Sequence, residues 1–547
     1  MNQGGTTDRR VPLAIGLVAA AVTVVAAKGH LPGLGNDATS YVAIADNLAR
    51  HGRLGYFLEP KLALWPPGWP SLLAASEWAF GIRPQITALV VNSATVVVIA
   101  FEAWWLMRRM TSDRRVVWAA TAIAALGPAT LSQSYMVQTE VTFIALVLAT
   151  FIAVIKFSDT RRWTWLALAA VLQWAAFMDR YVGIVSIGAA GLWLLFERGT
   201  ADRRERWRNG VAFVIGASVV PGAWILRNIA VRGDIGNAFG PRDTPTATYK
   251  TNLVDATTSV GQFIHGVSRY APFTGVLRLA SLALLAVCVV IAVVLGRRAL
   301  AARTTRAGDL DPSAPGGRAT RSLRWGDVVG HPAGLLAIYA AAHWAYMVYS
   351  ASTIAFDPVN TRYLAPMFIP AMIVGLALLA RGGLARPGMA SDGFTRAMGV
   401  ALVALVVVQV GVGVVRASAS YWDRTAQGYA APQWRRALAS PVFDAVPDDC
   451  EHLYSNFPEA TYLAGIEAQR SPRIRKFASS DQLHELRTAI RRVDRGETSC
   501  LVWISPRVLE TPSYQQPLAV LRRSFALERV AGDRDVTVYR MEPATSA

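Results

Sequence analysis

The residues most able to do chemistry are a few charged side chains set against long apolar runs. Asp37 stands in GNDATSYVAIADNLARHG (35–52), soon after an uncharged run that begins VPLAIGLVAAAVTVVAA. Glu140 opens an apolar stretch in SYMVQTEVTF, Arg180 lies in FMDRYVG, Arg227 closes a stretch in PGAWILRN, and Arg362 opens one in FDPVNTRYLAPMFIP. A carboxylate within hydrogen-bond reach of a hydroxyl takes its proton as a new bond forms. Guanidinium groups grip phosphate through paired hydrogen bonds and stabilise it as it departs, without a metal. An acid facing several arginines therefore points to transfer of a group from a phosphate-linked donor to a hydroxyl. Alone, Asp37 reads as a helix cap and each arginine as a side chain snorkelling to lipid headgroups. Three arginines and an acid on one face favour a site.

Those residues must be positioned by membrane helices. Hydrophobic residues make up 53% of the 547 and charged ones only 17%, and uncharged stretches near the ~20 residues that cross hydrocarbon recur. The pattern predicts a polytopic α-helical membrane protein with about eleven spans: 11–27, 85–107, 115–131, 138–156, 163–178, 181–196, 210–226, 275–296, 332–350, 363–380 and 397–415. The first resembles an export signal, but the later spans make it an uncleaved helix. The net charge of +18 sits in arginine clusters at 108–115, 161–162, 203–208 and 297–306. These fall on alternate loops, as the positive-inside rule requires, so the charge sets topology and nucleic acid is excluded as a partner. The expected location is the cytoplasmic membrane, with the N-terminus cytoplasmic and the C-terminus outside.

Three outer segments follow: 28–84, 227–274 and everything after about 416. In the first, Tyr41, Ile44, Ala45 and Leu48 form one stripe of a helix suited to the membrane surface. Pro66, Pro67 and Pro70 then stiffen LALWPPGWPSLLA, and Trp65 and Trp69 suit the headgroup region. The second, GDIGNAFGPRDTPTATYKTN, reads as a lid over a donor or as a passive connector. Residues 299–326 read as a flexible cytoplasmic linker. The domain organisation is thus a transmembrane part over 1–415 and a soluble extracytoplasmic α/β domain over 416–547. In that domain HLYSN and CLVWIS are strands, and Ser479 with Gln482 suits a capping box for DQLHELRTAIRRVDRG. FALERVAGDRDVTVYRME turns as a hairpin at Gly532-Asp533. Cys288 falls in a span and reads as inert packing. Cys450 and Cys500 fit either a disulfide, worth roughly 4 kcal/mol for a loop of about 50 residues, or two buried thiols. The two Asp-x-Asp matches, at 309–311 and 533–535, lie in a linker and a tight turn, and no metal or other cofactor is assigned.

GNDATSYVAIADNLARHG, WPPGWPSLLA, the acid in QTEVTF, the DRYVG turn, W-x-x-R-N at 224–228 and TRYLAP together resemble the GT-C membrane glycosyltransferases. The protein-mannosyltransferase-like and aminoarabinose-transferase-like group of glycosyltransferase family 39 is the most similar. The resemblance runs in order over about 11–380. It implies inverting transfer of a sugar from a polyprenyl-phosphate donor to a hydroxyl of a lipid, polysaccharide or protein acceptor on the outer membrane face. It maps the base onto Asp37 and the substrate-binding set onto Glu140, Arg180, Tyr181, Arg227, Arg362, Tyr363 and Lys61. Many relatives place a lysine just before the paired prolines; here Leu64-Trp65 stands there and the nearest lysine is Lys61. Asn36 precedes Asp37 where relatives that modify proteins have a second acid. Heavy Ala, Val and Arg use fits a GC-rich bacterial genome, which suggests mannose or arabinose as the sugar. The alternative is a transporter or flippase of a lipid-linked saccharide, which calls for polar residues or broken helices at mid-membrane. A noncatalytic scaffold that presents the tail leaves Asp37 and the arginines unexplained.

Overall fold

Uncharged stretches fold as helices because a chain in hydrocarbon must satisfy its backbone polar groups internally. The computed structural model describes residues 7–27, 34–58, 62, 65–197, 202–232, 248–265, 330–353, 359–380, 392–421, 429, 431–473, 483–509, 511 and 515–544. The helices of its first part are α1 (Thr7–Ala27), α2 (Asn36–His51), α3 (Gly68–Phe80), α4 (Pro84–Arg108), α5 (Arg114–Leu126), α6 (Pro128–Ser134), α7 (Glu140–Thr160), α8 (Trp163–Asp179), α9 (Ile184–Leu194), α10 (Arg203–Arg232), α11 (Tyr249–His265), α12 (Pro332–Thr353), α13 (Thr361–Leu379) and α14 (Asp392–Tyr421). The chain is a multi-pass membrane protein. Among the described residues seven helical segments are long and apolar enough to cross a membrane, against the eleven spans that the sequence suggests. Ten of the eleven fall on helices. α8 and α9, with 17 and 11 residues, are shorter than the ~20 a span needs, and α12 carries Tyr339, His343, Tyr346 and Tyr349. The eleventh, 275–296 with Cys288, lies outside the described residues, as do the linker at 299–326, residues 233–247 and 266–274 of the second outer segment, Lys61 and the capping-box pair Ser479 and Gln482.

The span read over 115–131 is one of these seven, Arg114–Ser134, and its helix is interrupted at Gly127. α5 stops at Leu126 and α6 starts at Pro128, because proline has no N–H to continue the ladder and sits well at a first helical position. At one end of the bundle the basic clusters meet acids and rings. Arg161 Nη1 lies 2.7 Å from Glu197 Oε1, Arg109 pairs with Asp159, and Lys156 lies over the rings of Trp105 and Trp165. The candidate site gathers at the other end.

The C-terminal part is an α/β layer with helices α15 (Pro432–Leu438), α16 (Pro458–Leu463), α17 (His484–Asp494) and α18 (Leu518–Ser524). Strands β1 (His452–Ser455), β2 (Gln469–Arg470), β3 (Ser499–Ile504), β4 (Phe525–Gly532) and β5 (Val536–Pro543) form one sheet in the order β2-β1-β3-β5-β4. β1 runs parallel to β2 and β3, and the β4–β5 hairpin is antiparallel. β3 is buried along its whole length, as a central strand covered on both faces must be. One face packs Tyr429, Trp434, Leu453, Phe457, Val502 and Val538; the other packs Tyr454, Leu486, Trp503, Phe525 and Tyr539 under α17 and α18. Cys450 and Cys500 form a disulfide. Asp533, in the second Asp-x-Asp match, accepts from the backbone N–H of Asp535 and Val536 and from Ser440 Oγ, so it serves the hairpin turn.

Candidate active site

Four elements distant in sequence place their charged residues together. Helix α2 begins after Gly35, which is the N-cap, and no side chain caps the helix. Asp37 is therefore not a cap: its Oδ2 accepts from Arg362 Nη2 at 2.7 Å. Arg362 stands in the first turn of α13, where Asn360 is the N-cap. Its Nε donates to Glu140 Oε1, at the first position of α7. The same oxygen accepts from Arg180 Nη1, which also donates to Thr139 Oγ1 at 2.9 Å. Two guanidinium groups thus converge on one carboxylate, and one of them reaches on to a second.

Burial grades this cluster. Glu140 is fully buried, Arg180 and Arg362 are 15% and 21% exposed, and Asp37 is 30% exposed. Two further acceptors, Glu140 Oε2 and Asp179 Oδ2, are buried and have no hydrogen-bond partner among the described residues. Buried carboxylate oxygens are costly to leave unpaired. Tyr41, one turn after Asp37, is buried beside the cluster, and its phenol is pushed well above the usual range, first by burial and then by the Asp37 charge.

Close backbone packing fixes Arg180. A Cβ on Gly68 would lie 2.5 Å from the carbonyl oxygen of Met178, and one on Gly183 would lie 2.9 Å from Phe177. The W-P-P-G-W-P turn therefore lies directly on the end of α8, and the short 3-10 turn at Tyr181–Gly183 folds back on it. Gln173 Nε2 and Ser186 Oγ both donate to the Gly183 carbonyl, at 2.7 and 2.8 Å. Arg180 leaves this corner with extended backbone.

The other residues singled out in sequence take different places. Tyr181 Oη accepts from Trp224 Nε1 at 2.9 Å and from Asn228 Nδ2 at 3.3 Å, which ties the DRYVG turn to α10. Arg227 lies over the Trp224 ring and donates to the Leu62 carbonyl and to Asn228 Oδ1. Tyr363 turns its ring toward its neighbour Arg362, and its carbonyl takes a hydrogen bond from His343 Nε2 at 2.9 Å. With that nitrogen donating, His343 Nδ1 accepts from Tyr339 Oη at 3.2 Å. Lys61 lies outside the described residues. Thr139, Tyr41 as a neighbour of the acids, His343 and the unpaired oxygen of Asp179 were not singled out from sequence. Only Asp179 carried a signal, as an acid beside Arg180 in a short turn between apolar runs.

Among the described residues no group of three or more His, Cys, Asp or Glu is arranged to hold a metal ion. The arrangement offers one accessible carboxylate for proton transfer, a buried one to orient a polar substrate, and two guanidinium groups for an anion.

Residues 66–224 match the family model of dolichyl-phosphate-mannose-protein mannosyltransferase. No protein of curated function matches the chain by sequence. Among solved structures, the fold is similar to ArnT from Cupriavidus metallidurans in the apo state, at 14% identity and a TM-score of 0.55, over 96% of this chain and 97% of that one. The same protein bound to undecaprenyl phosphate matches with the same score over 98% of both chains. An oligosaccharyltransferase from Archaeoglobus fulgidus, in complex with Zn and sulfate, matches at 11% identity and a TM-score of 0.50, over 96% of this chain and 72% of that one. With its bundle of membrane helices, its charged cluster at one end and its C-terminal domain, the chain has the GT-C fold of membrane glycosyltransferases.

Proposed function

We propose that the protein is an inverting glycosyltransferase that moves a sugar from a polyprenyl-phosphate donor to a hydroxyl acceptor on the outer membrane face. The observation that carries this reading is the Asp37 carboxylate, part-exposed and held 2.7 Å from Arg362. Asp37 takes the proton of the acceptor hydroxyl while its oxygen attacks the anomeric carbon. The bond from that carbon to the phosphate oxygen breaks, and the electron pair leaves with the lipid phosphate. Arg180 and Arg362 supply the positive charge for that departure. Each uses only part of its five-donor fork on the carboxylates, so a phosphate oxygen can join without breaking the cluster. The unpaired oxygens of Glu140 and Asp179 suit sugar hydroxyls. The same chemistry assigns no metal. Arg227, Tyr181 and Tyr363 belong to the walls, through Leu62, Trp224 and His343.

Three further points support the reading. The matched family model and the undecaprenyl-phosphate complex concern enzymes and carriers of this class. Arginine clusters at the opposite end suit a cytoplasmic face under the positive-inside rule, which supports an outward-facing site. The acceptor is a lipid, polysaccharide or protein, and mannose or arabinose on a polyprenyl carrier are the first donors to try. Detergent-purified protein incubated with a panel of polyprenyl-phosphate sugars should turn over at least one donor. Asp37→Asn should abolish turnover and leave donor binding intact; turnover at the wild-type rate in that variant refutes the base assignment.

A further inference from the structure

Helix α2 does not touch the membrane helices alone. Asp46 follows Asp37 by nine residues, which is two and a half turns and about 13 Å along the axis, so the two acids point to opposite faces. The face of Asp37 and Tyr41 meets Arg362 and its neighbours. The opposite face meets the C-terminal domain: Tyr462 Oη, at the end of α16, donates to Asp46 Oδ2. The Tyr462 ring lies 5.6 Å from that of Phe57 and packs on the cluster formed by α2, α3 and the first loop. A second contact sits just before the helix, where the backbone N–H of Tyr429 donates to the Leu34 carbonyl at 2.8 Å. Leu34 packs against the core of the C-terminal domain and against that of the first loop.

We propose that Tyr462 is a positioning residue for Asp37, and that the C-terminal domain braces α2 so that its carboxylate keeps its reach to Arg362. This rests on the glycosyltransferase reading above. A helix is stiff over three or four turns, so a grip at Asp46 and at Leu34 fixes both its rotation and its height. Asp46 faces Tyr462 from the C-terminal domain, Glu77 from α3 and Arg50 from its own helix. Arg50 in turn donates to Glu77 at 3.2 Å, which leaves the tyrosine hydroxyl as the contact that crosses from the tail. A shift of the helix by a fraction of a turn would move Asp37 relative to an acceptor bound on the bundle, and misplacement of about 1 Å can cost about a hundredfold in rate.

The test uses the full-length protein in detergent or nanodiscs and four variants: Tyr462→Phe, Tyr462→Ala, Asp46→Asn and Asp46→Ala. Tyr462→Phe removes one oxygen and keeps the ring on Phe57. It should lower kcat roughly tenfold, with the donor KM changed less than about twofold, as expected when only transition-state geometry is lost. Asp46→Asn still offers an oxygen to the tyrosine hydroxyl and should keep kcat near wild type, whereas Asp46→Ala should fall with Tyr462→Phe. Independently of activity, amide hydrogen exchange over 36–51 should speed up in Tyr462→Phe and Tyr462→Ala but not in Asp46→Asn. Unchanged kcat in Tyr462→Phe, or unchanged exchange over α2 in Tyr462→Ala, overturns the brace. A wild-type protein silent with every donor sinks the glycosyltransferase reading instead, and the exchange measurement then still decides whether the tail holds the helix.

Discussion

Glu140 is the residue whose removal should be felt most. Its Oε1 accepts from Arg180 and Arg362, its side chain has no solvent exposure, and the two arginines are 15% and 21% exposed. Removing one member of a buried ion pair costs about 3–5 kcal/mol, because the charge left behind is uncompensated. Arg180 keeps Thr139 and Arg362 keeps Asp37, so Glu140→Ala belongs at the low end, about 3 kcal/mol. Glu140→Gln keeps an acceptor in place but loses the charge, and hydrogen bonds without that charge are about half as strong; it should cost about 1.5 kcal/mol. The decisive comparison is the cycle with Arg180→Met. The double variant leaves no orphaned charge at that pair, so it should be more stable than the two single losses predict by over about 1 kcal/mol. Reversible unfolding in mixed micelles, followed by the fluorescence of the 17 tryptophans, measures wild type and all four variants. Additivity within about 0.5 kcal/mol, or a Glu140→Ala variant as stable as wild type, refutes the coupling.

Gly68→Ala should lower both stability and turnover, because its Cβ would lie 2.5 Å from the Met178 carbonyl oxygen; such overpacking costs about 1–3 kcal/mol, and an unchanged Tm in detergent contradicts it. Replacing Cys450 and Cys500 together by alanine opens a loop of sequence separation 50 and should cost about 4 kcal/mol in the chain-entropy treatment, read as earlier proteolysis of the C-terminal domain on heating. Burial raises the Asp46 carboxyl to about 6, against an ordinary 3.8. Its protonated form is thus favoured in the folded protein, and the stability it contributes is full below pH 4 and lost as pH rises through 6. The Tm of Asp46→Asn should therefore fall less than that of wild type between pH 4 and 6; parallel curves contradict the assignment.

Residue types in this molecule were more legible than their partners. Asp37 was conspicuous as a lone acid after an apolar run, and Arg180, Arg227 and Arg362 as cations on the face where the positive-inside bias disfavours them. That Arg362 bonds both Asp37 and Glu140 was not readable, since those pairs are separated by 325 and 222 positions and hydropathy carries no information on which helix ends meet. Tyr181 illustrates the limit: its motif suggested substrate, and the structure gives it bonds to Trp224 and Asn228. Apolar length found the span that α5 and α6 share but not the interruption inside it, because that interruption rests on Gly127-Pro128 in an otherwise apolar stretch. In the tail, HLYSN, CLVWIS and the Gly532-Asp533 turn announced strands through their composition. β2, with two residues, and α18, with seven, are too short to leave a periodic trace.

The charge cluster joins residues far apart in the chain, and this governs when it can exist during synthesis. Asp37 meets a residue 325 positions later, and Asp46 one that is 416 positions later. At ribosomal speeds of about 5–20 residues per second, roughly 16–65 s separate the emergence of Asp37 from that of Arg362. Throughout that interval the first loop waits without its counter-ion. A chain that ends before Arg362 therefore carries its early helices without the Asp37–Arg362 and Glu140–Arg362 bonds that complete the charge cluster.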